Sequence, residues 1–278
     1  MKADLHCHSF FSDGNHSPAF LLQRAQELQI SHLAITDHDH ITVLDNSLSN
    51  LHCVKLIPGV EVSCQWKGFE IHVVGIGVDA QNKTLQFLLN KQRTARRDRI
   101  SDIGKLLEKH NIIGLSQYMQ SLECVSMTRS HVSNFLISSG KSKNQSQAFN
   151  KYLGKKGRAF VPSNWISLAQ TNEAINGAGG ISVLAHPGRY SLNKRTLGEL
   201  IDTFKETGGL AIETSYGNIN PTVQKNLETI ALDKDLYVSA GSDFHSRDAH
   251  WTDLGKFPAI TTRVKHRAIW AHPRWPSL

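Results

Sequence analysis

Two histidines at alternate positions, His6 and His8, lie in the first predicted β-strand of the chain. Side chains alternate between the two faces of a strand, so both imidazoles are expected to point the same way. Neutral imidazole is a good ligand for first-row transition metals, and two imidazoles at a strand end can hold a metal ion between them. The pair therefore indicates metal chemistry.

Further histidines and carboxylates follow, each on or just after a short apolar run. Together with the first pair they make nine candidate ligands: His6, His8, Asp13, His38, Glu61, His72, His186, Asp243 and His245. A lone histidine at a strand end is more often a hydrogen-bonded core residue, but so many ionisable groups in one site would be very costly to bury without a cation. They exceed one tetrahedral site and suit two or three ions that share a carboxylate, for which Glu61 is the natural bridge. Imidazole and carboxylate ligands together favour Mn, Zn or Fe over Ca.

The elements that must position these residues alternate between strands and helices. The sequence predicts strands over 2–6, 32–36, 54–58, 69–77, 180–184, 210–214 and 236–240, and helices over 18–29, 172–177, 196–207 and 221–233. The C-terminal ends of repeated parallel strands meet at one mouth if the sheet closes, whereas an open sheet would spread the candidate ligands along a row. We therefore predict an α/β fold, with barrel-like closure required if the ligands share one site.

The middle of the chain has a different pattern, with helical periodicity and no obvious strand. Predicted helices cover 85–110, 130–139 and 145–153. Residues 91–165 carry 14 Lys and Arg against 4 Asp and Glu, whereas the rest of the chain carries 17 against 20. We predict a metal-binding barrel over 1–90 and 166–278 and a basic helical insertion over 91–165 that caps the site and handles an anion. A solvated helix face is the alternative for any single lysine of this segment.

Six motifs occur in an order that resembles the PHP (polymerase and histidinol phosphatase) family of metal-dependent phosphoesterases: DLHCHS, TDH, GVE, IHVVG, AHPGR and GSDFH. The resemblance covers essentially the whole chain and implies a distorted seven-stranded βα barrel, the PHP fold, holding up to three metals. It implies a first metal on His6, His8, Glu61 and Asp243, a second on Glu61, His72 and His186, and a third on Asp13, His38 and His245. The catalytic group is then a metal-bound hydroxide held by Glu61, Asp13, His38, Asp243 and His245, with manganese the favoured ion and zinc or iron the alternatives.

The helical insertion and the AHPGRY motif resemble a branch of this family with 5′-to-3′ exoribonucleases of the ribonuclease AM type and 3′,5′-nucleotide bisphosphate phosphatases. Guanidinium groups match phosphate oxygens in a bidentate way, and free N–H groups at a helix start favour anions. The candidate phosphate ligands are Arg129, Ser130, His131, Arg189, Lys156 and Arg158. An ion pair between insertion and barrel is the alternative for Arg129, and metal ligation or helix capping for His131.

These observations predict a hydrolase that cleaves the 3′ phosphate ester of 5′-phosphorylated nucleotides. It would act as a 5′-to-3′ exoribonuclease on RNA, as a 3′,5′-bisphosphate phosphatase that yields a nucleoside 5′-monophosphate, or as both. The substrate is a nucleotide or short RNA with a 5′-phosphate, and no obligate protein partner is expected. Two alternatives remain: a small-metabolite phosphatase, such as one for histidinol phosphate, and an RNA-binding module whose metals are structural.

Other features predict a reduced, cytoplasmic protein without a membrane segment. The four cysteines form no CxxC pair, the N-terminus runs directly into a strand without a signal peptide, and no apolar run is long enough to cross a bilayer. Asp4 and Asp37, which precede candidate ligands, are interpreted as supporting groups. Trp66 and Trp251 are interpreted as packing residues rather than stacking platforms for a base.

Overall fold

The computed structural model describes residues 2–44, 54–248 and 252–275, over which strands and helices alternate around a long helical segment. Its strands are β1 (Ala3–Cys7), β2 (His32–Ile35), β3 (Lys55–Leu56), β4 (Gly59–Trp66), β5 (Phe69–Ile76), β6 (Ile181–Leu184), β7 (Ala211–Tyr216) and β8 (Tyr237–Gly241). Its helices are α1 (Pro18–Glu27), α2 (Lys83–Glu108), α3 (Leu115–Gln120), α4 (Arg129–Ser138), α5 (Gln145–Ala148), α6 (Leu168–Gly177), α7 (Lys194–Glu206) and α8 (Pro221–Asp233). The predicted α/β class is confirmed.

The strands form two sheets whose edges are linked. β1, β2 and β3 run parallel, and the second sheet has the order β4-β5-β6-β7-β8, with β5 antiparallel to both neighbours and the last three strands parallel. At one junction the Asp243 N–H donates to the His6 carbonyl oxygen at 2.7 Å, and at the other the Glu61 N–H donates to the Thr36 carbonyl oxygen at 3.1 Å. The described strands thus make two linked sheets, in which one strand, β5, runs against its neighbours.

A shared apolar core lies beneath these strands. Leu5, Ala34, Val74, Val183 and Ala211 belong to one buried cluster, and each comes from a different strand of the two sheets. Side chains from separate sheets can pack into one cluster only if the sheets curve around it. The strands therefore adopt the distorted barrel-like arrangement that brings their ends together, although among the described residues no continuous ladder closes it.

The hairpin of β4 and β5 is longer than the sequence indicated, because β4 continues past Glu61 to Trp66. Most of β4 is buried on both faces, so it lacks the alternation of apolar and polar residues by which a half-exposed strand is detected. A two-residue turn joins the strands, with Lys67 at φ 45° and Gly68 at φ 78°, the backbone of a type I′ turn. Ser63 pairs with His72 in this hairpin, which brings His72 to the face of the sheet that carries Glu61.

The basic segment has an apolar core of its own. At the start of α2, Leu85 and Leu89 pack into the core of the second sheet. Further along the same helix, Ile103 and Leu107 pack against residues of α3, α4, α5 and the π-helical turn at Phe149–Leu153. Helix α2 is thus one continuous helix that packs into two apolar cores. The expected boundary between barrel and insertion, at residue 91, falls inside this helix. The helix α3 was not predicted.

Candidate metal centre

All nine candidate ligands converge at one end of the strands. They divide into four overlapping groups in which the ligand atoms lie within 4.8 Å of one another: His8, Asp13, His38 and His245; His6, Glu61 and His186; His6, His8 and Asp243; and His38, Glu61 and His72. Most of these residues sit at or just beyond a strand end, so their convergence follows from the shared strand direction. The division differs from the three expected sets, since His72 and His186 fall in different groups and His38 lies with Glu61 as well as with Asp13. The assignment of ligands to individual metals stays a prediction.

Glu61 lies at the centre of the cluster, and its two oxygens face different imidazoles. Its Oε1 lies 3.0 Å from both His72 Nδ1 and His186 Nε2, and 3.4 Å from His6 Nε2. Its Oε2 lies 3.3 Å from His8 Nε2 and 3.1 Å from His38 Nδ1. A carboxylate with ligand atoms around each oxygen is suited to bridge two cations.

The two aspartates serve neighbouring parts of the cluster. Asp243 Oδ1 lies 3.4 Å from His6 Nε2 and 3.3 Å from His8 Nε2. Asp13 Oδ1 lies 3.4 Å from His245 Nε2 and 3.7 Å from His38 Nε2. Each aspartate therefore completes a separate group of imidazoles, and Glu61 lies between the two groups.

Several of these atoms are close to one another without being hydrogen-bonded. Asp13 Oδ1 and His38 Nδ1 are buried and form no hydrogen bond with the described residues, although Glu61 Oε2 is only 3.1 Å from His38 Nδ1. Buried polar atoms are normally hydrogen-bonded. Ligand atoms that lie this close to one another without hydrogen-bond geometry therefore indicate that a cation completes the site. The donor set, imidazole and carboxylate, fits a first-row divalent ion.

The electrostatics of the cluster favour bound positive charge. Burial alone would raise the pKa of Glu61, but His72, His6 and His38 outweigh burial and hold this pKa well below its usual range. The pKa of Asp243 is likewise held low, mainly by His6 and His245 against the effect of burial. Burial would lower the pKa of His8, yet hydrogen bonds that its ring donates to the carboxylates of Asp243 and Glu61 raise it to about 10. The carboxylates are thus ionised and ready to act as ligands.

Two ligand residues have backbone angles that side chains rarely adopt. His186 has φ 30° and Asp243 has φ 52°, both in the left-handed region where non-glycine residues are uncommon. Such conformations persist where the surrounding structure requires them, and they concentrate at functional sites. Here they turn the two side chains from the ends of β6 and β8 towards the cluster.

Glu213, on β7, supports the cluster and was not predicted. Its Oε1 lies 2.9 Å from His6 Nδ1, and its Oε2 accepts a hydrogen bond from the His186 N–H at 2.6 Å. A carboxylate on the outer nitrogen of a ligand histidine orients the ring and raises its basicity. The available signal was a single acidic residue in the apolar stretch LAIETSY.

Asp4 and Asp37 have supporting positions and join none of the four groups. The carboxylate of Asp37 accepts hydrogen bonds from the hydroxyls of Ser9, Ser12 and Thr42, each at 2.6 Å, and so holds the loop before Asp13. Asp39 is fully buried beneath α2, where its Oδ2 accepts from Arg96 Nε at 2.7 Å.

An open pocket adjoins the cluster on the insertion side, with a volume of about 520 Å³ that includes the solvent at its mouth. Its wall combines ligand residues of the barrel with guanidinium groups and aromatic rings: Asp13, His38, Ser63, Glu70, His72, Arg96, Arg99, Ile100, Met127, Thr128, Arg129, Ser130, Phe149 and Trp165. We call this the arginine pocket. Its composition suits an anion attached to a flat ring.

Glu70 is the centre of the charged network in this pocket. Its Oε2 accepts from Arg129 Nη2 at 2.9 Å, and its Oε1 accepts from Trp165 Nε1 at 2.9 Å and lies 3.6 Å from Arg99 Nη1. Burial would raise the pKa of Glu70, but Arg129 and Arg99 outweigh it and lower this pKa to about 2. The ion pair between insertion and barrel that was the alternative for Arg129 is therefore present.

The other predicted phosphate ligands differ in position. Ser130 lines the arginine pocket, and Arg189 forms an ion pair with Asp243 beside the cluster. His131 Nδ1 accepts from the Thr128 N–H at 3.0 Å, so the ring takes part in the capping box of α4. Lys156 and Arg158 are exposed and are not part of this wall. Phosphate contacts by these residues stay predictions.

The sequence interpretation missed two arginines of the pocket. Arg96 and Arg99 are three positions apart on α2, so they share a face of the helix, and both are buried. Their guanidinium carbons lie 4.9 Å and 5.5 Å from the centre of the Trp165 ring. The three-residue spacing can be read from the sequence, but the sequence does not show which face of α2 contacts the barrel. Trp66 packs in the barrel core as predicted, and Trp251 lies outside the described residues.

A second pocket adjoins the cluster away from His38 and His72. It is open and has a volume of about 940 Å³ that includes the solvent at its mouth. Its lining is Asp13, Asn15, Ser130, Asn134, Gln145, Asp243, His245, Ser246, Asp248 and Thr252. We call this the amide pocket. Asp13 and Ser130 belong to both walls, so the two pockets meet at the cluster.

With this geometry established, comparison with known proteins identifies the family. Residues 4–215 match the PHP domain. The chain belongs to the PHP domain family. The match spans most of the chain and includes the whole of the basic insertion, so in this PHP protein the insertion lies within the family domain.

Relatives of this PHP protein include 5′-3′ exoribonucleases and a 3′,5′-nucleoside bisphosphate phosphatase. It is 37% identical to the 5′-3′ exoribonuclease of Haemophilus influenzae, over 92% of this chain and 93% of the relative. It is 37% identical to the 5′-3′ exoribonuclease Rnm of Escherichia coli, over 91% and 88%. It is 34% identical to the 3′,5′-nucleoside bisphosphate phosphatase of Chromobacterium violaceum, over 91% and 90%.

Solved structures agree in fold. An amidohydrolase from Chromobacterium violaceum, with bound sulfate and no metal, superposes with a TM-score of 0.90 at 32% identity, covering 98% of this chain and 95% of that one. A protein assigned as a metal-dependent phosphoesterase from Bifidobacterium adolescentis gives a TM-score of 0.80 at 26% identity, covering 95% and 94%. Within the described ranges, no helix combines the length and apolar character that a bilayer crossing requires.

Proposed function

We propose that this PHP protein is a metal-dependent phosphoesterase that hydrolyses the ester on the 3′ side of a 5′-phosphorylated nucleotide. On RNA it would act as a 5′-to-3′ exoribonuclease, and on a 3′,5′-bisphosphate it would release inorganic phosphate and a nucleoside 5′-monophosphate. The observation that carries the proposal is the shared wall of the arginine pocket, in which His38 and His72 of the cluster face Arg99 and Arg129. The relatives that act as exoribonuclease and bisphosphate phosphatase support it.

The nine clustered residues would hold two or three divalent ions, with Glu61 shared between them. We propose manganese, with zinc and iron as alternatives, because mixed imidazole and carboxylate donors suit all three. Such ions, when bound, lower the pKa of water and neutralise the charge of a phosphate that is attacked. Glu213 would keep the His6 ring in its ligand orientation through the 2.9 Å contact to Nδ1.

Residues of the insertion would recognise the 5′-phosphate. Arg129 uses one terminal nitrogen for Glu70, and a guanidinium has five N–H donors, so the others are available to a phosphate. Trp165 and Phe149 supply ring faces for a base in the same pocket. Arg189, paired with Asp243, lies where it can contact the phosphate that is cleaved.

We also propose the division into a barrel, 1–90 and 166–278, and a capping insertion, 91–165. The separate apolar core of the insertion supports it. A cytoplasmic location without an obligate protein partner is part of the same proposal, supported by the free thiols of Cys7, Cys64 and Cys124.

The test compares Arg129→Ala with the unmodified protein on three substrates. We expect kcat/KM for adenosine 3′,5′-bisphosphate and for 5′-monophosphorylated RNA to fall by roughly 10- to 100-fold, because a charge-assisted contact is lost. Hydrolysis of p-nitrophenyl phosphate, which has no 5′-phosphate, should change little. Arg195→Ala, an exposed arginine on α7, is the matched control.

Equal loss on all three substrates would refute the recognition role of Arg129. Product mapping on a short 5′-phosphorylated RNA tests the reaction itself. Mononucleotides at the first time point are expected of an exoribonuclease, and turnover of histidinol phosphate above both nucleotide substrates would reject the proposal. RNA binding that survives chelation without any product would favour the structural-metal module.

A further inference from the structure

The amide pocket is unused by the proposed recognition of the 5′ nucleotide. It is built from side chains of the barrel loops and of the insertion helices α4 and α5. It reaches the cluster through Asp13, Asp243 and His245, whereas the arginine pocket reaches it through Asp13, His38 and His72. The two pockets therefore open from different sides of the same metal centre.

The chemistry of the two walls is different. The arginine pocket has three guanidinium groups and two large aromatic rings. Among the described residues, the wall of the amide pocket has no lysine or arginine. Within the described part of this wall, Asp248 is the one charged residue outside the cluster. The rest are amides and hydroxyls, which bind sugar hydroxyls and base edges but do not attract a chain of phosphates.

Two of the amides are available to a ligand. The side chains of Asn134, half-buried on α4, and Gln145, exposed at the start of α5, form no hydrogen bond with the described part of the chain. Asn15 is already engaged, since its Nδ2 donates to Asp248 Oδ2 at 3.1 Å. The insertion thus contributes two amide groups to the wall of this pocket, whereas its arginines lie in the wall of the arginine pocket.

We infer that the amide pocket binds the ribonucleoside that follows the scissile phosphate, and so selects RNA over a nucleoside bisphosphate. This inference rests on the proposed function. Hydrolysis adds the OH of water to phosphorus, breaks the bond from phosphorus to the 3′ oxygen, and leaves that oxygen protonated. The phosphate stays with the downstream RNA, whose first nucleoside extends from phosphorus away from the arginine pocket. A 3′,5′-bisphosphate has only an oxygen in that place.

The inference also predicts repeated action on one strand. Each cleavage leaves the shortened RNA with a new 5′-phosphate, which is the group that the arginine pocket recognises. The nucleoside held in the amide pocket then becomes the 5′ nucleotide of the next cycle. A single nucleoside subsite with little positive charge binds the downstream strand weakly enough for it to move between cycles.

The experiment uses the full chain with Asn134→Leu and Gln145→Met combined, which keeps side-chain size and removes the amides. We expect kcat/KM for a 5′-phosphorylated trinucleotide to fall roughly tenfold, as for two lost hydrogen bonds, with kcat/KM for adenosine 3′,5′-bisphosphate within about twofold. With a chelator present, no turnover occurs and binding can be measured alone. The affinity of the double variant for a fluorescent 5′-phosphorylated trinucleotide should then fall by a similar factor, relative to its affinity for adenosine 5′-monophosphate. The control combines Asn226→Leu and Gln117→Met, the same exchanges at exposed sites outside both pockets.

The outcomes separate this inference from the proposed function. If the double variant cleaves both substrates as well as the unmodified protein, the inference is wrong and the proposed function stands. If activity on the bisphosphate falls equally or more, the pocket serves the 5′ nucleotide and the inference is again overturned. If the unmodified protein releases no product from either substrate, the proposed function itself fails. Retained bisphosphate turnover in the variant is also the control for folding.

Discussion

The barrel wall and the insertion wall of the arginine pocket hold their charged groups in opposite ways. On the barrel side, imidazoles and carboxylates crowd against one another, with Glu61 in contact with the rings of His38 and His72. On the insertion side, guanidinium groups pair with carboxylates of the barrel, as Arg129 does with Glu70 and Arg96 with Asp39. The first arrangement gains stability from a cation, whereas the second is already neutralised and also joins the two units.

The difference is one of mechanical support as well as charge. Most of the ligand residues extend from the ends of paired strands, so their positions depend mainly on the sheets. The arginines extend from helices with a separate apolar core, and their position depends on docking. Changes on the barrel side should therefore affect every substrate, and changes on the insertion side should affect only substrates with a 5′-phosphate.

The largest expected effect follows from Glu61→Gln, which removes the charge at the centre of the metal cluster on the barrel side. We expect about a 10³-fold loss of kcat on p-nitrophenyl phosphate and nucleotides alike, with reduced metal content in the purified protein. Added Mn²⁺ should raise the melting temperature of the unmodified protein but not that of the variant. Glu173→Gln, exposed on α6, is the control. Full activity in the variant would contradict a metal role for this cluster.

A smaller effect, about 10- to 100-fold on metal affinity or activity, is expected from Glu213→Gln, because the amide cannot accept from both His6 and His186. The matched control is Glu228→Gln, since Glu228 is equally buried and accepts hydrogen bonds from Thr261 far from the cluster. Metal titration followed by calorimetry measures the difference. Similar losses in both variants would mean that Glu213 is only a structural group.

On the insertion side, Arg99→Gln removes a buried positive charge of the arginine pocket, and Lys156→Gln removes a solvent-exposed one. We expect kcat/KM for 5′-phosphorylated substrates to fall roughly tenfold for Arg99→Gln and to change less than about twofold for Lys156→Gln. Turnover of p-nitrophenyl phosphate should stay near that of the unmodified protein in both. Arg158→Gln extends the comparison to the second exposed residue. A greater loss for the exposed residues would show that the 5′-phosphate binds outside the arginine pocket.

The smallest effect concerns the start of α4, where His131 caps the helix only as a neutral ring. Burial lowers the pKa of His131 below its ordinary value of 6.5. Its stabilising contribution is thus complete above that value and is lost as the pH falls through the lowered folded-state pKa. His131→Gln keeps a capping acceptor that does not titrate. Between pH 7 and pH 5 the free energy of unfolding, from urea titrations, should shift in favour of the variant by up to about 1 kcal/mol. A constant difference would contradict this role.

Much of the barrel side could be predicted from the sequence. His6 and His8 share a strand face because of the two-residue period, and the later histidines and aspartates follow apolar runs that are recognisable as buried strands. Because strands running in one direction end at the same edge, residue types at strand ends indicate a common site. Glu213 was not predicted in this way, because a single acidic residue inside a strand has no other candidate ligand near it in the sequence.

The insertion side shows where such prediction stops. Local periodicity predicted the helices and the count of basic residues predicted an anion, because both depend on neighbours along the chain. Whether Arg96 and Arg99 or Lys156 and Arg158 face the cluster depends on how α2 packs on the barrel. That packing is settled by apolar contacts and ion pairs between distant segments, such as Arg129 with Glu70, 59 positions apart. Such pairings are specified by the folded arrangement of the whole chain, and no short stretch of residues encodes them.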